Sequence, residues 1–158
     1  MEIHLIGEVN EEMVQKVADV IKACPNDERL EISITSEGGS GYCALAIYEM
    51  LTTSTLIVKT IGVGIVMSAA TLILAAGDVR AMTKETWLMV HDTKSTNKGD
   101  YHSHRVHTLQ TAKEEEQWAR LLADSSNLSA KMWRKLSEKT TYLTAKQCAK
   151  CRLIGEIL

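Results

Sequence analysis

Thr60-Ile-Gly-Val-Gly-Ile-Val-Met-Ser-Ala-Ala-Thr-Leu-Ile-Leu-Ala-Ala-Gly77 is the stretch on which the architecture turns. A β-branched run over residues 56–61 leads into it, and glycines at 62 and 64 interrupt the run. From residue 68 to 76 everything is small or apolar, which reads as a buried helix stopped by Gly77. Passing from strand to buried helix in so few residues predicts an α/β layered fold with mainly parallel pairing. In this reading Ser68 opens the helix, beside free backbone N–H groups and the positive end of the helix dipole. Both favour negative charge developing on or near its oxygen, so Ser68 is a candidate nucleophile.

Working outward, residues 79–82 and 86–90 read as short strands, and Trp87-Leu-Met-Val-His91 ends in a histidine that could serve as a base. Upstream, residues 30–35 alternate apolar and polar side chains. Ser36-Glu-Gly-Gly-Ser40 reads as a glycine turn and a candidate oxyanion cradle, and residues 42–51 as a helix. Residues 2–6 form a first strand, followed by a helix capped by Asn10 and stopped near Cys24-Pro25. Beyond a polar loop over 94–100, helices are expected at 102–123 and 129–137, then a helix started by Thr144 and a strand at 153–158. No internal repeat is visible, and residues 1–158 read as one domain.

The net charge is −2 and no basic block occurs, so the electrostatic footprint of a nucleic-acid binder is missing. No apolar run reaches bilayer length and the first residues lack a signal-peptide pattern, so a cytoplasmic protein without membrane attachment is expected. The four cysteines then read as reduced thiols. Cys148-Ala-Lys-Cys151 has zinc or redox spacing but no second knuckle, and reads as helix packing. His102, His104 and His107 with Arg105 lack a carboxylate at ligand spacing, so no metal site and no cofactor is expected. Lys113-Glu-Glu-Glu-Gln117 reads as exposed helix surface, and Asn127-Leu-Ser129 as a helix cap through Ser129. Gly62 and Gly64 lack the third glycine of a dinucleotide fingerprint, and Val66 and Ala70 stand where a nucleophile elbow requires glycine.

Taken in order, several segments resemble the Clp protease proteolytic-subunit (ClpP-like) family, the caseinolytic serine peptidases, nearly end to end. Ile34-Thr-Ser-Glu-Gly-Gly-Ser40 and Ala46-Ile-Tyr-Glu-Met resemble its glycine turn and first long helix. Gly64-Ile-Val-Met-Ser-Ala-Ala resembles its nucleophile segment and Leu88-Met-Val-His its histidine strand. Tyr142-Leu-Thr-Ala and Leu153-Ile-Gly-Glu-Ile-Leu resemble its C-terminal helix and strand. The resemblance implies a ClpP/crotonase-like layered fold with a protruding handle helix. It implies endopeptidase action on peptides or unfolded protein, with Ser68 as nucleophile, His91 as general base, and N–H groups of Gly38, Gly39 and Ala69 holding the oxyanion. It also implies self-association into rings of about six or seven subunits, single or doubled. The helix at 102–123, roughly 30 Å long, would be the handle, with Val106, Leu109, Trp118, Leu121 and Leu122 reaching into subunit contacts.

Three departures from the family pattern bear on activity. Glu37 replaces the usual proline before the double glycine. The aspartate expected before Tyr142 falls on Thr140, so the acid of the triad is missing unless Glu138 substitutes for it; Asp92, the sequence neighbour of His91, would point to the opposite face. Activity is then expected to be weak. The chain also starts at its first strand and stops at its last, as compact phage-encoded members do, which argues against dependence on an AAA+ unfoldase. Two other readings follow: a ring-forming pseudoprotease with a structural or regulatory role, and a crotonase-type acyl-coenzyme A enzyme. The serine and histidine pairing argues against the second, because enolate chemistry needs no nucleophilic serine.

Overall fold

Parallel strands linked by helices dominate the computed structural model, which describes residues 1–25 and 28–158. The order is β1 (Glu2–Val9), α1 (Glu11–Ala23), β2 (Arg29–Gly39), α2 (Gly41–Thr53), β3 (Ile57–Met67), α3 (Ala70–Ala75), β4 (Val79–Met82) and β5 (Trp87–Val90). Then come α4 (Tyr101–Asp124), α5 (Ala130–Glu138), β6 (Thr141–Thr144), α6 (Ala145–Lys150) and β7 (Glu156–Ile157). Strands β1, β2, β3, β4 and β7 lie side by side in that order, all parallel, and β5 pairs with β3 in parallel and with β6 antiparallel. The expected α/β layering is therefore observed. Leu30, Ile32 and Ile34 alternate into the core from β2, and α3 is buried along its whole length. Helices α1, α2 and α3 pack on the sheet and on one another.

Caps set the helix starts. Asn10, Ser129 and Thr144 each accept the N–H three residues on, and Thr144 completes a capping box with Gln147. These three starts agree with the sequence reading.

Around the glycines the structure corrects that reading twice. The strand expected to end at residue 61 continues to Met67. Its first half, Lys59 to Gly62, pairs with β4, and Ile65 to Met67 pair with β5. The switch of partner happens at Gly64, whose φ of +71° lets β3 bend, while its N–H donates to Thr86 Oγ1 at 2.9 Å. Likewise the Gly38-Gly39 pair is not a turn. It is the end of β2, in register with Glu8 and Val9 of β1 after a shift in the ladder.

Toward the C-terminus, β6 was not expected and the strand expected over 153–158 shortens to two residues. Strand β6 is four residues long, too short for a periodic signal, and is defined by its pairing with β5. Helix α4 buries only Ala119 and Leu122, near its C-terminal end. Tyr101, Val106 and Leu109 in its N-terminal half are exposed, whereas Trp118 packs against the core and Leu121 is half-buried. Of the five apolar residues expected at subunit contacts, Val106 and Leu109 remain free for that purpose, and Leu122 is fully internal. Among the described residues no helix is long and apolar enough to cross a membrane.

Candidate active site

Ser68 sits one residue past β3 and His91 one residue past β5, at neighbouring ends of two paired parallel strands. Met67 lies opposite Met89, and the Ser68 N–H donates to the Met89 carbonyl at 2.8 Å, so the sheet register itself brings the two side chains together. Ser68 Oγ and His91 Nε2 are 2.8 Å apart, inside hydrogen-bond range for a nucleophile and its base. Both are half-buried on the wall of an open cavity of about 500 Å3.

Ser68 does not belong to the first turn of α3, as the sequence suggested. It precedes that helix by two residues and has a φ of +53°, in the left-handed region. Such a conformation is uncommon for a non-glycine residue and is concentrated at functional sites. The backbone thus runs strand, left-handed serine, helix, the course of a nucleophile elbow without that motif's flanking glycines. Thr71 Oγ1 donates to the Ser68 carbonyl at 2.7 Å and helps fix the bend.

The three residues expected to hold an oxyanion are placed differently from one another. Ala69 follows Ser68 and its N–H has no acceptor among the described residues. Gly39 lines the cavity together with Ser68 and Ala69. The Gly38 N–H, in contrast, is turned onto the buried Ser36 Oγ at 3.0 Å and is occupied. What Gly38 contributes is closeness, since a Cβ there would lie 2.7 Å from Ser68 Cβ.

Among the described residues no third member completes the pair. His91 Nδ1 is buried and has no hydrogen-bond partner among the described residues. Thr140 is exposed, with a φ of +50°, and neither its hydroxyl nor the Glu138 carboxylate bonds to His91. Glu138 instead lies 3.9 Å from Arg134 Nη2, and Asp92 accepts from Arg134 Nη1 at 3.1 Å. Sequence reasoning missed Arg134 altogether, because nothing local marks a cation two of whose three partners come from distant segments.

Of the remaining motifs, the cysteine pair lies away from the cavity, whereas His107 and, from the 113–117 segment, Glu114, Glu115 and Gln117 line it. Burial pushes the Cys148 thiol up to about 12 and raises that of Cys151, and Cys151 Sγ donates to the Cys148 carbonyl at 3.3 Å. Both are protonated packing groups at neutral pH. His107 Nε2 meets Ser95 Oγ at 3.0 Å on the cavity wall. Among the described residues no group of three or more His, Cys, Asp or Glu side chains could hold a metal ion.

Comparison with known proteins places this geometry in context. The family model described as Clp protease matches residues 1–158. ATP-dependent Clp protease proteolytic subunit 2 of Treponema denticola is 27% identical over 161 residues, covering 99% of this chain and 80% of the relative. The ATP-dependent Clp protease proteolytic subunit of Pleurastrum terricola is 34% identical over 113 residues, covering 68% of this chain and 57% of the relative. Among solved structures, an Asn-to-Asp mutant of ClpP1 from Listeria monocytogenes superposes with a TM-score of 0.90, covering 99% of this chain and 90% of that one at 22% identity. That likeness is one of fold.

Proposed function

The chain belongs to the Clp protease family, and on that premise we propose that residues 1–158 act as one peptidase domain in which Ser68 and His91 cut peptide bonds of short or unfolded segments. The observation that carries this reading is the 2.8 Å contact between Ser68 Oγ and His91 Nε2 on the wall of an open cavity. Ser68 Oγ attacks the carbonyl carbon while His91 Nε2 takes its proton, and the carbonyl oxygen becomes an oxyanion facing the N–H groups of Ala69 and Gly39. Collapse of that intermediate breaks the C–N bond, and the proton on Nε2 passes to the leaving amine. Water, deprotonated by the same nitrogen, then hydrolyses the acyl ester and regenerates Ser68. The exposed apolar residues of α4 extend the reading to a homo-oligomeric ring that encloses the cavities.

A fluorophosphonate probe tests the chemistry, because it reacts only with an activated serine. Labelling of the wild-type chain that disappears in Ser68→Ala is the expected result. Absence of labelling favours the second reading, a ring-forming pseudoprotease, for which the unpartnered His91 Nδ1 and the occupied Gly38 N–H speak.

A further inference from the structure

His91 meets Ser68 through Nε2, yet among the described residues no hydrogen bond at Nδ1 orients its ring. The backbone that carries the ring is instead held from two sides. Asp92 Oδ1 accepts from Arg134 Nη1 at 3.1 Å, and the Thr93 N–H donates to Glu115 Oε1 at 3.0 Å. The other oxygen of Glu115 lies 3.0 Å from Arg134 Nη2. Both residues after His91 are therefore tied, through one guanidinium fork, to α4 and α5.

The tie is well founded. Glu115 is only 15% exposed and Arg134 only 26%, so water competes weakly for their contact. Arg134 follows Trp133, which is fully buried and donates from Nε1 to Ser126 Oγ at 2.9 Å, fixing α5 against the core. Arg134 and Glu115 line the same cavity as Ser68 and His91, while Arg134 has no hydrogen bond to either.

We propose that Arg134 is a positioning residue for His91, setting the imidazole through Asp92 and Glu115 and so performing the orienting part of the task that an acid at position 140 would perform. The proposal rests on the serine-peptidase reading. It separates orientation, supplied here from the backbone side, from stabilisation of the imidazolium, which no group in contact with Nδ1 provides.

The test measures the fluorophosphonate labelling rate of the full chain and the kcat and KM of a fluorogenic peptide. Arg134→Met should lower labelling and kcat by about ten- to a hundredfold, the scale of a misplaced catalytic group, with KM nearly unchanged. Arg134→Lys should recover part of the loss, and Asp92→Asn should add little once Arg134 is already Met. Should Arg134→Met not fold, Asp92→Asn and Glu115→Gln, which each weaken one arm, carry the same expectation. Wild-type labelling rates in these variants, or a loss confined to KM, would overturn the positioning role and leave the Ser68 mechanism standing. A wild-type chain with no Ser68-dependent labelling would overturn both.

Discussion

Replacing Gly38 by alanine should displace Ser68 without removing any of its groups. The added Cβ would sit 2.7 Å from Ser68 Cβ, 2.8 Å from the Met67 carbonyl oxygen and 3.1 Å from the Ala69 nitrogen. Carbon atoms in contact rest at about 3.5–4.0 Å, so the shortfall at Ser68 is close to one ångström. Two of the three obstacles are main-chain atoms, and no rotamer change relieves them. Either the end of β2 or the Ser68 bend has to move, and a displacement of about 1 Å at a reacting group can cost on the order of a hundredfold in rate. The left-handed φ of +103° adds strain of about 1–2 kcal/mol for any side chain. Gly64→Ala separates the two effects, since it shares a positive φ of +71° but has nothing within 4 Å of the new carbon. Gly64→Ala should lose about 1–2 kcal/mol, a few degrees in Tm, and keep its fluorophosphonate labelling rate. Gly38→Ala should lose at least as much stability and about a hundredfold in labelling. Labelling of Gly38→Ala at the wild-type rate, with the protein folded, would refute the close-approach argument.

Thr140→Asp, at the position where the family resemblance expects the triad acid, should raise kcat, against a ceiling of about ten-thousandfold for a missing triad acid; an unchanged rate together with a large loss in Glu138→Gln would assign that role to Glu138. Asp also tolerates the left-handed φ at position 140 better than β-branched threonine, so thermal unfolding should show no loss of stability. Cys148 is protonated in the folded chain up to about pH 12, whereas an exposed thiol in the unfolded chain ionises near pH 8.5. The folded state therefore holds the extra proton above about pH 9, and denaturant titrations should show stability falling as pH rises through that range. Leu109→Glu, at an exposed position on α4 that makes no core contact, should weaken self-association in light scattering while leaving the fold intact; an unchanged mass would remove α4 from the ring interface.

Features fixed by neighbours in sequence were legible, and features fixed by distant hydrogen bonds were not. Asn10, Ser129 and Thr144 cap their helices through bonds that span three residues, so the local pattern contains the whole cause. Ser68 and His91 were found because each lies at the end of an apolar run. The continuation of β3 past Gly62 was hidden, since it depends on Thr86 and on β5, more than twenty residues away. The same holds for the occupied N–H of Gly38, which a buried serine side chain claims, and for Arg134, whose partners lie 19 and 42 residues upstream in Glu115 and Asp92 as well as on its own helix. The expected handle contacts divided at Trp118 because helical spacing shows which residues share a face, not how far along the helix the core extends.

The alignment of Ser68 and His91 is written in main-chain hydrogen bonds, from the Met67–Met89 register to the Ser68 amide on the Met89 carbonyl. Peptide groups carry no record of which side chain they bear. Residues along β3 and β5 other than Gly62 and Gly64 can therefore be exchanged for others of suitable bulk over evolutionary time without shifting Ser68 and His91, and the arrangement can outlast the spelling around it. A designer inherits the same freedom: Val90, the β5 residue on the cavity wall, can be exchanged to reshape the cavity, provided that the ladder between the two strands is kept.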